Sequence, residues 1–413
     1  MGERSMNPGA LSHVRVLDMT RILAGPWATQ LLGDLGADIL KIERPGAGDD
    51  TRAWGPPYAQ DAAGNATDIA AYYLACNRNK RSVAVDITRP EGAATVAALA
   101  GQCDVFIENF KVGGLAQYGL DYATLKAANP RLIYCSITGF GQDGPYAQRA
   151  GYDFLIQGMG GMMSVTGQPD DTPGGGPMKM GVALADVLTG LYASNAILAA
   201  LAWREKSGEG QHIDIGLLDV QVACLANQAM NYLTSGKSPG RLGNAHPNIV
   251  PYQAFPTSDG HMILAVGNDA QFVRLCEVAG CAALAGDARY ATNKARVEHR
   301  ATLIPQLAEC TRRRTTAEWI AALEAAGVPC GPINTVAQAF DDPQVQSRGM
   351  RIDMPHARAG SVPQVACPLK LSATPPSYRR APPDVGEHTA EVLREALGMD
   401  DAALARLREA GAI

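Results

Sequence analysis

The chain has 413 residues, 46% hydrophobic and 19% charged, enough for a sizeable core and better suited to two domains than one. A net charge of −5 with a pI near 5.8 gives no bulk attraction to nucleic acid or an anionic membrane, so an anionic ligand must be met by local cations. Nine cysteines, scattered and mostly inside apolar runs, read as free thiols, and without a CxxC pair or a Cys/His cluster no metal is expected.

The first ten residues are polar and lack a basic-then-apolar leader, and no apolar run approaches membrane-spanning length. A cytoplasmic protein without a membrane partner is expected. From there strands alternate with helices. His13 to Asp18 reads as a short strand, Pro26 to Leu35 as a helix stopped by Gly36, and Ala37 to Glu43 as a second strand. The pattern resumes with a strand at Arg81 to Asp86 and a helix at Pro90 to Ala100 that has proline in its first turn. Strands follow at Asp104 to Glu108 and Arg131 to Ile137. Such alternation predicts an α/β fold with a parallel sheet wrapped by helices. A helix from Asp186 to about Glu205 follows, closed by the turn Ser207-Gly208-Glu209-Gly210, and then a strand at His212 to Ile215.

The second half changes character. Proline- and glycine-rich connections run from Ser235 to Pro256, a strand or hairpin is expected at Gly260 to Gly267, and Thr315 with Glu318 forms a capping box before a helix at Ala317 to Ala326. These features suggest a smaller α+β domain. From Pro329 the chain is again rich in proline until a helix at Thr389 to Leu397, and reads as an irregular segment wrapping over another domain or subunit.

Familiar ligand motifs do not hold up. Gly158-Met159-Gly160-Gly161 begins like a dinucleotide fingerprint but has Met163 where the last glycine belongs, and Gly236-Lys237-Ser238 has Asn231 in place of a phosphate loop's first glycine. No GxSxG elbow is present, and seven dispersed histidines imply neither a triad nor a metal site. Asp186 stands out instead, a carboxylate flanked by Val182-Ala183-Leu184-Ala185 and Val187-Leu188 at a helix start. The macrodipole there should keep it ionised while apolar neighbours strip its water, which suits a nucleophile; aspartate is equally a favoured helix cap, and the decad alone fits that role well.

An ordered series of short matches along the chain bears on the choice. Val16-Leu17-Asp18-Met19-Thr20, Ala24-Gly25-Pro26, Leu35-Gly36-Ala37-Asp38, Lys41-Ile42-Glu43-Arg44-Pro45-Gly46, Asn79-Lys80-Arg81-Ser82, Glu108-Asn109-Phe110, Ala185-Asp186, Gly208-Glu209-Gly210-Gln211 and Gly386-Glu387-His388-Thr389 together resemble the class III CoA-transferases, the CaiB/BaiF family. The second half, with Asn231-Tyr232-Leu233, His246, Ile249 to Phe255 and Gly331-Pro332-Ile333-Asn334, is most similar to the succinate-hydroxymethylglutarate type.

The resemblance implies Asp186 as nucleophile, with Arg44, Val85, Asn109 and Phe110 along CoA and no permanently bound cofactor. The acyl-CoA thioester and a carboxylic acid are then substrates. It also implies a Rossmann-like large domain over 1–215, a small domain over 216–330 and a return segment over 331–413 that completes the large one, paired as an interlocked homodimer. Arg241 and His246 are the candidate anchors for a dicarboxylate's second carboxylate, and Gly158 to Gly161 and Gly174 to Gly176 are candidate oxyanion donors. Two alternatives remain: an acyl-CoA racemase of the same family, which works with a His/Asp pair and is disfavoured because Tyr152, before Asp153, stands where its histidine would follow Gly151, and a silent CoA-binding protein. Leu23, Gln117 and the Asn244 to Asn248 loop depart from the formyl-CoA transferase pattern.

Overall fold

The computed structural model describes residues 9–413; residues 1–8 of the polar start lie outside the described residues. Two compact units emerge. Of the described residues, the larger comprises 9–162, Met180–Ala226 and Gln346–Ile413, the smaller Met163–Lys179 and Asn227–Val345. The expected boundaries at 216 and 330 therefore fall at 227 and 345, and a loop before Asp186 joins the small unit.

Six strands of the large unit carry branched and aromatic residues on both faces, as buried parallel strands must. In chain order its elements are β1 (Arg15–Asp18), α1 (Ala24–Asp34), β2 (Asp38–Glu43), the hairpin β3 (Tyr58–Gln60) and β4 (Ala66–Ala70), α2 (Ala71–Leu74), β5 (Lys80–Ala84) and α3 (Pro90–Ala100). Then come β6 (Val105–Glu108), α4 (Tyr122–Ala128), β7 (Ile133–Thr138), α5 (Asp153–Met159), the single turn α6 (Met162–Val165) whose last three residues belong to the small unit, α7 (Leu184–Ser207), β8 (His212–Gly216) and α8 (Leu217–Ala223). Sheet order is β5-β2-β1-β6-β7-β8 with every pairing parallel, the doubly wound order that reverses between β1 and β6. Val16, Ile39, Ile107 and Cys135 enter one core with α1 and α7, while Leu17, Leu40, Phe106 and Tyr134 enter the other. That alternation is the period of two of a strand.

α7 is by length and composition able to cross a membrane, with a window of mean hydropathy 1.5, longer than the sequence reading allowed. Here it is a core helix, packed on α1, α5, α8 and the sheet. Gly190 permits the approach to α1, because a Cβ there would lie 2.6 Å from the Ala24 carbonyl oxygen. Gly208 in the left-handed conformation ends it, its amide bonding to the Arg204 carbonyl.

A buried ion-pair network beneath the sheet edge uses many of the residues that carried the family resemblance. Lys80 Nζ donates to Asp18 Oδ2 (3.2 Å), the Pro26 carbonyl (3.0 Å) and Asn77 Oδ1 (3.1 Å). Lys41 Nζ donates to the Thr20 carbonyl and Asp49 Oδ2, both at 2.9 Å. Burial raises the Asp18 carboxyl, but Lys80 and Lys41 outweigh it and hold the group below its ordinary value; in the same way Lys41 brings Asp49 down to about 2.

The small unit contains α9 (Ala226–Ser235), β9 (Tyr252–Pro256), β10 (His261–Ala265), α10 (Asp269–Val278), α11 (Ala282–Ala285), α12 (Asn293–Glu298), α13 (Arg300–Thr311), α14 (Thr316–Ala325), β11 (Cys330–Pro332), α15 (Val336–Asp341) and α16 (Pro343–Ser347). Its antiparallel sheet β11-β10-β9 packs Phe255, Met262 and Leu264 against Phe272, Trp319 and Leu323. The Thr315–Glu318 capping box forms as the sequence indicates. The segment after Pro329 is less irregular than expected: β12 (Arg351–His356) and β13 (Gly360–Val365) form a hairpin before α17 (Thr389–Leu397) and α18 (Asp401–Glu409). Val392, Leu393, Leu404 and Leu407 of the last two helices complete the second core of the large unit.

Candidate active site

Asp186 occupies the first turn of α7, four residues before Gly190 and so on the face that abuts the start of α1. It is not a cap. The N-cap position is Ala183, which has no side chain to serve, and the free amides of Ala185 (2.8 Å) and Asp186 (3.3 Å) are instead taken by Asp153 Oδ1 from the first turn of α5. Asp153 is itself held: its Oδ2 accepts from Gln157 Nε2 at 2.8 Å, and the buried Gln157 accepts the Met180 amide at 2.9 Å. Gly139 and Gly151 place Asp153, since a Cβ on Gly151 would meet the Gly139 Cα at 2.2 Å.

The helix terminus therefore serves Asp153, not Asp186, which corrects the expectation that the macrodipole keeps Asp186 ionised. Burial, with Asp153 adding repulsion, pushes the half-buried Asp186 carboxyl up to about 7. Near neutrality it is present in both forms, and its ionised form is poorly solvated and correspondingly reactive. Tyr72 of α2 shares this environment. Burial first, then the charge of Asp186, pushes its phenol up to about 12, and its ring packs edge-on to Trp54 at 5.2 Å. Sequence reading missed Tyr72 and gave Asp153 only a place in the racemase comparison; neither lies in a recognisable spacing with Asp186.

The four residues expected along CoA each follow the carboxyl end of a strand of the parallel sheet. Arg44 follows β2 and is exposed, Val85 follows β5 and bonds its amide to the Glu43 carbonyl, and Asn109-Phe110 follows β6. Asn109 clamps the loop after β1, its Oδ1 accepting the Arg21 amide (3.0 Å) and its Nδ2 donating to the Arg21 carbonyl (2.8 Å). That clamp sets the exposed Arg21 guanidinium 5.9 Å over the Phe110 ring, adding a second cation to this edge that the sequence did not single out. The next residue, Ile22, has φ +73°, a strained conformation for a β-branched side chain costing about 1–3 kcal/mol. Asp49 Oδ1 receives its amide at 3.3 Å and Cys76 Sγ donates to its carbonyl at 3.7 Å, so the surroundings hold the strain in place.

Arg241 and His246 belong to the small unit. Arg241 pairs with Asp170 and donates through Nε to the Gln168 carbonyl (3.3 Å). His246 Nδ1 accepts the Asn248 amide at 3.0 Å, its ring lies 5.3 Å from Tyr252, and burial with Arg300 lowers its pKa. Both side chains already have partners within the small unit. The glycine candidates are similarly occupied: the amide of Gly160 bonds to Ile156, of Gly161 to Gly158, of Gly175 to Thr172 and of Gly176 to Gln168.

A parallel sheet of this order, cations at its carboxyl edge and a desolvated carboxylate on a core helix fit an α/β enzyme. The sequence pattern of CoA-transferase family III spans residues 11–389, and the chain belongs to that family. A succinate–glutarate CoA-transferase of Agrobacterium fabrum is 56% identical over 93% of this chain and 95% of its own. The human succinyl-CoA:glutarate CoA-transferase is 44% identical over 98% of this chain and 90% of its own. Among solved structures, a CaiB/BaiF family protein from Brucella suis superposes with a TM-score of 0.83 at 52% identity, covering 94% of this chain and all of that one.

Proposed function

We propose that this CoA-transferase moves CoA from succinyl-CoA to a glutarate-like dicarboxylate through Asp186. The observation that carries the reading is the desolvated Asp186 carboxylate, with its pKa near 7 and the adjoining helix amides already committed to Asp153. The ionised carboxylate attacks the donor thioester, giving a mixed anhydride and CoA thiolate; the thiolate then attacks the aspartyl carbonyl, releasing succinate and leaving an aspartyl-CoA thioester. The acceptor carboxylate attacks that thioester to re-form an anhydride, and the thiolate takes the acceptor's acyl group and frees Asp186. Arg44, Val85, Asn109 and Phe110 hold CoA along the sheet edge, with Arg21 beside them. Both relatives described above are named for succinate or its CoA ester and for glutarate, which supports dicarboxylates on both sides of the exchange. A CoA-exchange screen across mono- and dicarboxylic acids tests the assignment, and preferred transfer to monocarboxylates would reject it.

The acceptor's second carboxylate needs a cationic or hydrogen-bonding anchor, and we assign that role to Arg241 and His246. Engagement requires Arg241 to exchange Asp170 for the substrate, a swap of one exposed carboxylate for another. Arg241→Ala should raise KM for dicarboxylates about tenfold while leaving that of equally long monocarboxylates nearly unchanged. Equal losses for both classes in steady-state kinetics would remove Arg241 from acceptor recognition.

A racemase reading has less support: Tyr152 is exposed, and Asp153 is committed to Gln157 and the α7 amides. For the assembly we infer an interlocked homodimer, the arrangement the family resemblance implies and one that the return segment from 331 onward is long enough to permit. Sedimentation should give twice the chain mass at micromolar concentration, and a monomer would overturn this.

A further inference from the structure

Five carboxylates of the large unit are buried, and four have a cation against them: Asp18 has Lys80, Asp34 has Arg78, Glu43 has Arg52 and Asp49 has Lys41. Glu108 is the exception. Its side chain is only 6% exposed, and among the described residues no lysine or arginine pairs with it. Its Oε2 accepts the Phe110 amide at 2.7 Å and the Ser136 hydroxyl also bonds to the carboxylate, two neutral donors for a charged group. Burial consequently pushes this carboxyl up to about 7, with Asp214 adding to the rise.

Glu108 is not sealed in. It lines a cavity of about 360 Å³ beneath the segment from Lys111 to Ala123, a size within the ordinary range of small-molecule sites. Tyr134, on its wall, belongs to the core on the opposite side of the sheet from α7, so this space is separate from Asp186. Tyr122 and His212 form a flat wall, their rings stacked 4.9 Å apart and 22° from parallel, and His212 Nε2 lies 3.0 Å from Ser136 Oγ. Burial lowers the His212 pKa, so the imidazole is neutral at pH 7 and brings no counter-charge to Glu108. Lys111 stands exposed at the edge. The substrates of the CoA-transfer reaction are anions and would meet an unpaired carboxylate here, which repels them.

We propose that this cavity binds a small organic ammonium compound, its cationic head paired with Glu108 and its hydrocarbon body along Tyr122 and His212. The ligand supplies the counter-ion that every other buried carboxylate of the unit finds within the chain. The proposal stands apart from Asp186 and its chemistry, and binding alone reads it out.

Titration calorimetry on the full chain with n-pentylammonium, pentanol and pentanoate tests it. Pentylammonium should bind about tenfold or more tightly than either control, and Glu108→Gln, which keeps an acceptor for the Phe110 amide, should erase that preference. Lys111→Glu, a surface change that leaves the buried groups intact, should tighten pentylammonium severalfold and serves if the Gln variant does not fold. Absence of binding, equal affinity for pentylammonium and pentanol, or an ammonium affinity indifferent to both substitutions would overturn the site while leaving the transferase reading untouched.

Discussion

Asp186→Asn should abolish CoA transfer, lowering kcat by at least about three decades, while the far-ultraviolet spectrum and CoA binding stay as in the parent chain. The amide is close in shape to the acid, and the neighbouring amides are bonded to Asp153, so the start of α7 has no reason to fray. Incubating the parent protein with succinyl-CoA and then hydroxylamine should leave a hydroxamate on the peptide carrying Asp186. Near-parental turnover in the Asn variant would dismiss Asp186 as nucleophile.

The pKa near 7 sharpens this prediction. The attacking form is ionised, so kcat/KM should rise about tenfold per pH unit below 7 and level above it. Stability moves the other way. The folded-state value lies above the ordinary 3.8, so between about 4 and 7 the folded state binds more protons than the unfolded state, and unfolding free energy falls as pH rises through that window. Asp186→Asn removes this titration. The variant should therefore gain stability relative to the parent between pH 4 and pH 8 in denaturant melts. A relative loss at pH 8 would mean that Asp186 is a stabilising cap or ion-pair member after all.

The elements of the parallel sheet were legible because local signals agreed: continuous apolar strands, proline opening α3, glycine closing α7 and the Thr315–Glu318 box all act within a few residues. The Asp186 helix followed from the same local signals, whereas the residues expected along CoA came from the family resemblance. What sequence could not supply is contact across long separations. Asp153 caps a helix 32 residues away, which displaced both the capping reading and the ionised reading of Asp186. Residues Met163–Lys179 join the small unit although the chain runs without a break from the large one. The solitary state of Glu108 is more hidden still, because a missing cation is visible only when every neighbour is known.

The resemblance motifs look different once their side chains are placed. Asp18, Thr20, Lys41 and Lys80 identify the family, yet they form a scaffold under the site: Lys80 ties β5 to Asp18 at the end of β1 and to the Pro26 carbonyl at the start of α1, and Lys41 fixes Thr20. Lys80→Met would leave Asp18, fully buried, without its nearest cation. Burial lowers the Lys80 ammonium and Asp18 resists that shift, so each charge is tolerated because of the other. Breaking such a pair costs about 3–5 kcal/mol, a large share of a total stability of about 5–15 kcal/mol. The thermal midpoint should fall by roughly 5 °C. Transfer activity should fall with it even below the new midpoint, since the loop carrying Arg21 and the strained Ile22 loses its anchor. Adding Asp18→Asn to Lys80→Met removes the stranded charge and should recover part of the lost midpoint, which a simple packing defect would not do. A single variant that melts with the parent, or a double variant no better than the single, would show that the pair contributes nothing to holding this edge of the sheet.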